Sequence, residues 1–296
     1  MKSQIAISRW GGVKRSICDI IAQIEIESSR RFMPKVKLSV ISLYYEIHGS
    51  GHPVLLISGL NADNASWSGV CSRLAKDFRV ILFDNRGSGR SDTPDKRYSI
   101  RDMADDAIGL LDHLRIERCH IVGHSMGGYI AQEIAIHYPE RVDKLVLEAT
   151  ASVSSTRNNI LLNDFLKRFE KDHDNEALMR QWTYWSFSAK TFERKDYIDT
   201  FVKKASAYPY LQSAEGFGGQ MDAVKSFNTC NEIEKIKAKT FVIIGSDDIL
   251  IYPAESMKLV RGIKGSVSEE IKDAGHCVHV EHPDAFLSKV IPFLKQ

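Results

Sequence analysis

Short apolar runs alternate with longer segments of helical periodicity over most of the chain. From Pro53 onward the apolar runs are PVLLIS, RVILF, HIVG and KLVLEA, and the periodic segments between them span 65–76, 99–114 and 127–137. Runs that are apolar throughout predict strands buried on both faces, as in parallel sheets covered by helices. We therefore expect an α/β fold, with a mostly parallel sheet flanked by helices.

The same alternation resumes towards the C-terminus. A strand TFVIIG at 240–245 precedes a helix near 253–261, a strand near 267–272 and a final helix from Pro283. Ahead of the first apolar run, Val36, Leu38 and Val40 alternate with polar residues and predict one half-buried strand between 35 and 47. These segments assign 33–150 and 230–296 to the core domain.

Residues 151–229 interrupt this alternation, because their periodicity is helical only. Leu162, Phe165, Leu166 and Phe169 recur at helical spacing, which predicts an inserted helical cap. The cap contains 13 of the 27 aromatic residues in 79 positions, whereas the other 217 positions contain 14. Most of them are expected to pack within the cap, and Trp182 and Trp185 are candidates for the lining of a substrate pocket.

Composition and charge exclude several classes of protein. A net charge of +2 is too small for the basic surface that nonspecific nucleic-acid binding requires. No apolar run reaches the length of a membrane span, and polar residues interrupt the early apolar stretches that a secretory signal would need. The five cysteines include no C-x-x-C pair, which indicates a reducing compartment. No nucleic-acid or membrane partner and a cytoplasmic location are expected.

The net positive charge of the chain comes from an N-terminal extension, residues 1–32. Residues 1–33 contain six basic and three acidic side chains. A frayed tail is the favoured interpretation, with a docked amphipathic helix as the alternative. Met33 is the predicted start of the folded domain.

The strongest chemical signal is Gly123-His124-Ser125-Met126-Gly127, between an apolar strand and a helix. Strand, tight turn and helix is the context in which a G-x-S-x-G motif presents its serine as a nucleophile. A serine needs a base and an orienting carboxylate, and both follow along the chain. Asp248 comes after the strand TFVIIG and His276 after the last predicted strand. Ser125, Asp248 and His276 are the predicted catalytic triad.

An acyl transfer also needs donors for the developing oxyanion. The backbone N–H of Met126, directly after the nucleophile, is one candidate. The loop after the first apolar strand, Ser58-Gly59-Leu60, supplies the second, and we assign it to the N–H of Leu60.

Four motifs together resemble the α/β-hydrolase superfamily. They are GHSMGG, FDNRGSGRSDTP at 83–94, GSDD at 245–248 and AGHCVHVEHP at 274–283. Within it, the stretch GGQMDAVKSFNTCNEI is similar to the branch of 3-oxoadipate enol-lactonases and small carboxylesterases. The resemblance implies the same triad and the same oxyanion donors. The chain departs from the branch at Ser58-Gly59, where the family usually has His-Gly, and at Asn228-Thr229, where the branch often has Asp.

No cofactor and no metal are expected. His276, His279 and His282 at a spacing of three would not converge easily on one ion if they lay on a helix. The stretch Gly87-Ser88-Gly89 lacks the third glycine of a dinucleotide fingerprint.

The leading functional hypothesis is a serine hydrolase of a small-molecule carboxylic ester or enol lactone. Methyl-ester cleavage on an acyl-carrier protein, carbon–carbon bond hydrolysis and perhydrolysis stay open as alternatives. A hydrolase-like signalling receptor is the alternative outside the enzymes. The sequence does not determine the oligomeric state.

Overall fold

A computed structural model describes residues 34–172 and 174–296, and the predicted extension 1–32 lies outside them. The described residues form an eight-stranded sheet in the order β1-β2-β4-β3-β5-β6-β7-β8. The strands are β1 (Lys35–Lys37), β2 (Ser42–His48), β3 (His52–Ile57), β4 (Phe78–Phe83), β5 (Cys119–His124), β6 (Val142–Glu148), β7 (Lys239–Gly245) and β8 (Val267–Ile271). β2 pairs antiparallel with both of its neighbours, β1 and β4, and every other pairing in the sheet is parallel.

Helices follow the parallel strands. In the core they are α1 (Ser68–Leu74), α2 (Ile100–His113), α3 (Met126–His137), α9 (Pro253–Gly262), α10 (Val278–Glu281) and α11 (Pro283–Lys295). Their starts follow local chemistry: Ser99 and Asp102 form a reciprocal cap before α2, and a proline occupies the first turn of α9 and α11. No helix among the residues described is both long and apolar enough to cross a bilayer.

Between β6 and β7 the chain leaves the sheet and forms the cap. Its helices are α4 (Thr156–Phe169), α5 (Asn175–Ser186), α6 (Ala189–Phe192), α7 (Tyr197–Ser206) and α8 (Ala214–Ser226). The ends of this insertion lie side by side, since Val153 and Asn228 form an isolated antiparallel bridge. At the same place Thr229 donates its hydroxyl to Gln132 Oε1 on α3, at 2.9 Å. Asn228 and Thr229, where the chain departs from the enol-lactonase branch, therefore connect the base of the cap to the core.

The apolar core has one cluster on each face of the sheet. Leu55 points to the cluster that contains α2 and α3, whereas its neighbour Leu56 points to the cluster that contains α1 and α11. Both side chains are fully buried. Burial on both faces explains why the strands are apolar throughout instead of alternating, as expected for a parallel sheet covered on both sides.

The segment 35–47 differs from the single half-buried strand that its alternation predicts. The chain turns after β1, with the N–H of Leu38 donating to the carbonyl of Ile41 at 2.8 Å, and returns as β2. Val40 therefore lies in the turn and is 77% exposed, so its prediction as a half-buried strand residue is wrong. Period-two alternation cannot reveal a tight turn that itself contains an apolar residue.

Truncating Phe286 on α11 should strongly destabilise the fold. Its ring is fully buried between α11 and the sheet, so Phe286→Ala should lower the free energy of unfolding by about 3–5 kcal/mol. Ile160→Ala is the control, because Ile160 is 58% exposed and its loss should cost less than about 0.5 kcal/mol. Denaturant titration measures both, and equal effects of the two variants would contradict this account of the core.

Candidate active site

Ser125 sits on a strained turn between β5 and α3. Its φ of 54° and ψ of −118° lie in a region that non-glycine residues rarely adopt. The turn is possible because of two glycines: a Cβ on Gly123 would lie 2.3 Å from the carbonyl oxygen of Gly127, and one on Gly127 would lie 2.1 Å from that of Ile57. This close approach of helix and strand raises the Ser125 side chain above the carboxyl end of the sheet.

Three predicted residues come together in one hydrogen-bonded row. His276 Nε2 lies 2.8 Å from Ser125 Oγ, and His276 Nδ1 lies 2.8 Å from Asp248 Oδ2. The other carboxylate oxygen, Oδ1, accepts the N–H groups of Leu250 and Ile251, each at 2.9 Å. A carboxylate accepts only, so Nδ1 carries the proton and Nε2 presents a lone pair to the serine hydroxyl.

Asp247, the neighbouring acid, lies outside this row. Its side chain is exposed and accepts a hydrogen bond from Ser246 Oγ at 3.0 Å. Its N–H donates to the carbonyl of Ala274 at 2.8 Å. Asp247 thus braces the loop, while Asp248 is 2% exposed and faces the imidazole.

The pKa of His276 lies above the ordinary value for an imidazole. Burial disfavours the imidazolium and lowers the pKa, but the charge and hydrogen bond of Asp248 raise it. The negative charges of Glu148 and Glu281 raise the pKa of His276 further.

Two backbone amides stand beside Ser125. Met126 is the first residue of α3, where an N–H has no intrahelical partner, and Leu60 follows β3. Both residues line the same small cavity as Ser125. A hydrogen bond inside the loop that contains Leu60 stabilises its shape: the buried Ser58 Oγ donates to the carbonyl of Asp63 at 2.8 Å. Ser58 stands where the family usually has His, and its hydroxyl supplies this hydrogen bond.

Sequence reasoning missed a second buried carboxylate next to the row. Glu148 ends β6, and its Oε1 accepts the backbone N–H of His279 at 2.8 Å and Nδ1 of the same residue at 2.9 Å. The His279 ring stacks on Trp67, and beside it His124 Nε2 donates to the carbonyl of His276 at 3.0 Å. The available signal was one acid at the end of the otherwise apolar run KLVLEA.

Comparison with known proteins identifies the fold family. The family model described as the alpha/beta hydrolase fold matches residues 52–283, more than three quarters of the chain. The chain belongs to the α/β-hydrolase family.

Individual relatives differ in the reactions for which they are named. The provisionally assigned carbamate hydrolase RutD of Rhizobium rhizogenes is 26% identical over 259 residues, which cover 86% of this chain and 98% of that protein. The crystal structure of an enol-lactonase from Burkholderia xenovorans superposes with a TM-score of 0.81 at 26% identity, covering 89% of this chain and 100% of that one. The provisionally assigned non-heme bromoperoxidase BpoC of Mycobacterium tuberculosis gives a TM-score of 0.79 at 27% identity, covering 88% of this chain and 98% of the other.

Two cavities open between the hydrolase core and the cap. One of about 100 Å³ adjoins Ser125, and one of about 500 Å³ extends beneath α5 and α7. They share six lining residues, Ala62, Ser66, Trp182, Ser186, Cys277 and Val280. Trp182 therefore stands at the junction of the two cavities.

Trp185, three residues further along α5, lines neither cavity in the described part of the chain, which corrects its predicted place in the pocket. Residues three apart lie on the same side of a helix, so the spacing alone could not show that only one of the two rings reaches the cavities.

The loop that bears His276 is tied to the cap by Glu281. Its Oε1 accepts the N–H of Gly275 at 2.8 Å within the loop, and its Oε2 accepts the N–H of Ser188 at 2.8 Å in the cap. The N–H of His276 donates to the carbonyl of Ser186 at 2.9 Å. The imidazole loop and the cap segment 186–188 thus form one hydrogen-bonded unit.

The histidines at a spacing of three have different partners. His276 faces Asp248, His279 faces Glu148, and His282 Nε2 donates to the carbonyl of Asp273 at 2.9 Å. A different set of residues near Ser125 could approach one metal ion: one possible ligand atom from each of His124, Glu148 and His279 lies within 4.8 Å of the others. The first oxygen of that carboxylate already accepts two N–H groups of His279.

Cys277, next to the imidazole, is a poor nucleophile. Burial raises the pKa of its thiol well above the ordinary value, and the charges of Glu281 and Glu148 raise it further. Since the thiolate is the reactive form, the thiol stays protonated and lines the cavities as a packing residue.

Replacing Glu148 should lower the pKa of the His276 imidazole. Nearby negative charge favours the imidazolium, so Glu148→Gln removes one cause of the raised pKa, while its amide oxygen can still accept from His279. Titration by NMR should place the His276 pKa above 6.5 in the parent chain and lower in the variant. Glu170→Gln, an exposed change, is the control; an unmoved pKa in Glu148→Gln would contradict the coupling.

Proposed function

We propose that this α/β hydrolase cleaves a carboxylic ester or an enol lactone through a serine acyl-enzyme. One observation carries the proposal: Ser125 Oγ and Asp248 lie on opposite nitrogens of the buried His276 imidazole, each at 2.8 Å. This arrangement can remove the hydroxyl proton while the serine attacks and can stabilise the imidazolium that forms.

In the proposed reaction, Ser125 Oγ adds to the substrate carbonyl carbon as its proton passes to His276 Nε2. The developing oxyanion accepts hydrogen bonds from the N–H groups of Leu60 and Met126. When the tetrahedral intermediate collapses, the carbon–oxygen bond breaks and His276 returns the proton to the leaving alkoxide. In a lactone the leaving oxygen stays attached to the acyl group.

Water completes the cycle. His276 Nε2 takes a proton from the water that attacks the acyl carbon. When the second intermediate collapses, the bond between the acyl carbon and Ser125 Oγ breaks, the acid leaves, and His276 returns the proton to Oγ. All groups used in both steps come from the chain itself. The raised pKa of His276 means that an increasing fraction of the base is protonated as the pH falls towards 6.5 and below, so the rate should fall on the acid side.

The cavities favour a substrate with one compact and one bulkier part. The space of about 100 Å³ beside Ser125 suits a small group, and the connected space of about 500 Å³ accepts a larger apolar one. The relative named as an enol-lactonase supports a lactone or ester, and a carbamate, for which the other relative is named, also contains a carbonyl carbon bonded to oxygen. Ester and lactone substrates are therefore the first to test.

Ser125→Ala should abolish turnover without unfolding the chain. It removes the nucleophile alone, so kcat for short p-nitrophenyl esters should fall by about 10⁴–10⁶-fold, with an unchanged melting temperature. A serine-directed fluorophosphonate should label the parent chain and Ser288→Ala, an exposed control on α11, but not Ser125→Ala. Labelling that survives in Ser125→Ala would sink the assignment, and a single turnover in the parent would favour a hydrolase-like receptor.

The two neighbouring acids should differ sharply in their effect. Asp248→Asn leaves the imidazole without its charge partner and in the wrong tautomer, so kcat should fall by about 10³–10⁴-fold. Asp247→Asn is the matched control, one residue away and exposed, and should change kcat by less than about tenfold. Steady-state kinetics of both variants give the comparison; a larger defect in Asp247→Asn would show that the acid is misassigned.

A further inference from the structure

A second cluster of ligand-type side chains lies at the opposite edge of the sheet from Ser125. His52 is the first residue of β3, His120 the second of β5 and Asp143 the second of β6. These strands are parallel neighbours, in the order β3-β5-β6. The amino ends of three adjacent strands therefore bring one side chain each to a single place.

The three side chains converge closely enough to share an ion. One ligand atom from each lies within 4.8 Å of the others, and His52 Nε2 is 2.6 Å from Asp143 Oδ2. The rings of His52 and His120 lie side by side, with centroids 4.3 Å apart. We propose that His52, His120 and Asp143 form a binding site for a divalent transition-metal ion of the zinc class.

His120 supplies the observation that points to a ligand. Its ring is 6% exposed, yet Nδ1 is buried with no hydrogen-bond partner among the described residues. The β5–β6 register shifts between Cys119 and Ile121, so His120 occupies an irregularity of the kind that re-aims a side chain. A buried nitrogen without a partner is costly in a fold, and a metal ion would satisfy it.

The chemistry of the three side chains suits a metal ion of the zinc class. A neutral imidazole has one ring nitrogen with a free lone pair, and the buried Nδ1 of His120 has no hydrogen-bond partner among the described residues. Two imidazoles and one carboxylate are ligands that zinc accepts, with water completing a tetrahedron.

The surroundings set the expected affinity. Arg118 Nε lies 2.6 Å from Asp143 Oδ1 and orients the carboxylate, as an outer partner of a metal ligand does. A bound ion would replace the direct contact between Oδ2 and His52 Nε2. Lys144, Lys237, Lys239 and Lys295 also line the adjoining surface cavity of about 630 Å³, and their charge opposes a cation. We therefore expect a dissociation constant on the order of micromolar, weaker than that of a closed structural zinc site.

A bound ion would fasten the starts of three strands to one another. The stabilisation grows with ligand concentration as expected for binding to the folded state alone. At a zinc concentration one hundred times the dissociation constant, the melting temperature should rise by on the order of 5 °C. The site lies at the far edge from Ser125, so this proposal does not depend on the proposed reaction.

The test is a titration of the untagged full chain with Co²⁺ and Zn²⁺. Tetrahedral Co²⁺ gives visible absorption bands that report its ligand geometry, and Zn²⁺ should displace it. Calorimetry should give one zinc equivalent that disappears, or weakens at least tenfold, in each of His52→Ala and Asp143→Asn. His52 is half exposed, so His52→Ala removes a ligand with little disturbance of the core.

His137→Ala is the matched control. His137 forms a surface pair with Glu133 at 3.2 Å, a histidine and a carboxylate outside the three-membered clusters found in the described residues, so its loss should leave zinc binding unchanged. Zinc affinity weaker than about 100 μM in the parent chain would overturn the proposal. Binding that survives unchanged in both His52→Ala and Asp143→Asn would overturn it as well, since the ion would then occupy other ligands.

Discussion

The candidate active site depends on the close packing of the first turn of α3 against the backbone of β3. No side chain fits at Gly127 or Gly123, since a Cβ at either would fall within 2.3 Å of a carbonyl oxygen. This contact forces Ser125 to a positive φ. Only with that backbone does the hydroxyl stand clear of the sheet, while the N–H of Met126 stays free at the helix start.

Three carboxylates then fix the imidazole above this turn. Asp248 holds the ring by its Nδ1, Glu281 holds the loop by the N–H of Gly275, and Glu148 holds the helix that follows through His279. Each charge also favours the imidazolium, against the effect of burial. The groups that position His276 are therefore the groups that set its basicity.

The cap is part of this support as well as a cover. Glu281 reaches Ser188, and the carbonyl of Ser186 accepts the N–H of His276, so a movement of the cap at 186–188 would be felt at the imidazole. Ser186 also lines both cavities. A molecule that fills the larger cavity would contact the same short segment that orients His276, so direct hydrogen bonds connect the cavity with the imidazole. The two edges of the sheet differ in this respect: at the amino edge His52, His120 and Asp143 meet beside a cavity that none of the described cap helices lines.

The sequence by itself determined the class of fold and the residues of the row, because these are written in local patterns. Buried strands are apolar throughout, and the turn around Ser125 needs glycines at fixed positions, so both features can be recognised from a short stretch of sequence. The chain order of Ser125, Asp248 and His276 and the position of Asp248 after its strand also follow from short motifs. Only the tertiary structure decided the contacts between segments that are distant in the chain. Glu148 meets His279 across 131 positions, His52 and Asp143 meet from strands on either side of β5, and of Trp182 and Trp185 only Trp182 lines the two cavities. No local pattern encodes these, since they depend on how strands pair and helices rotate once the core has closed.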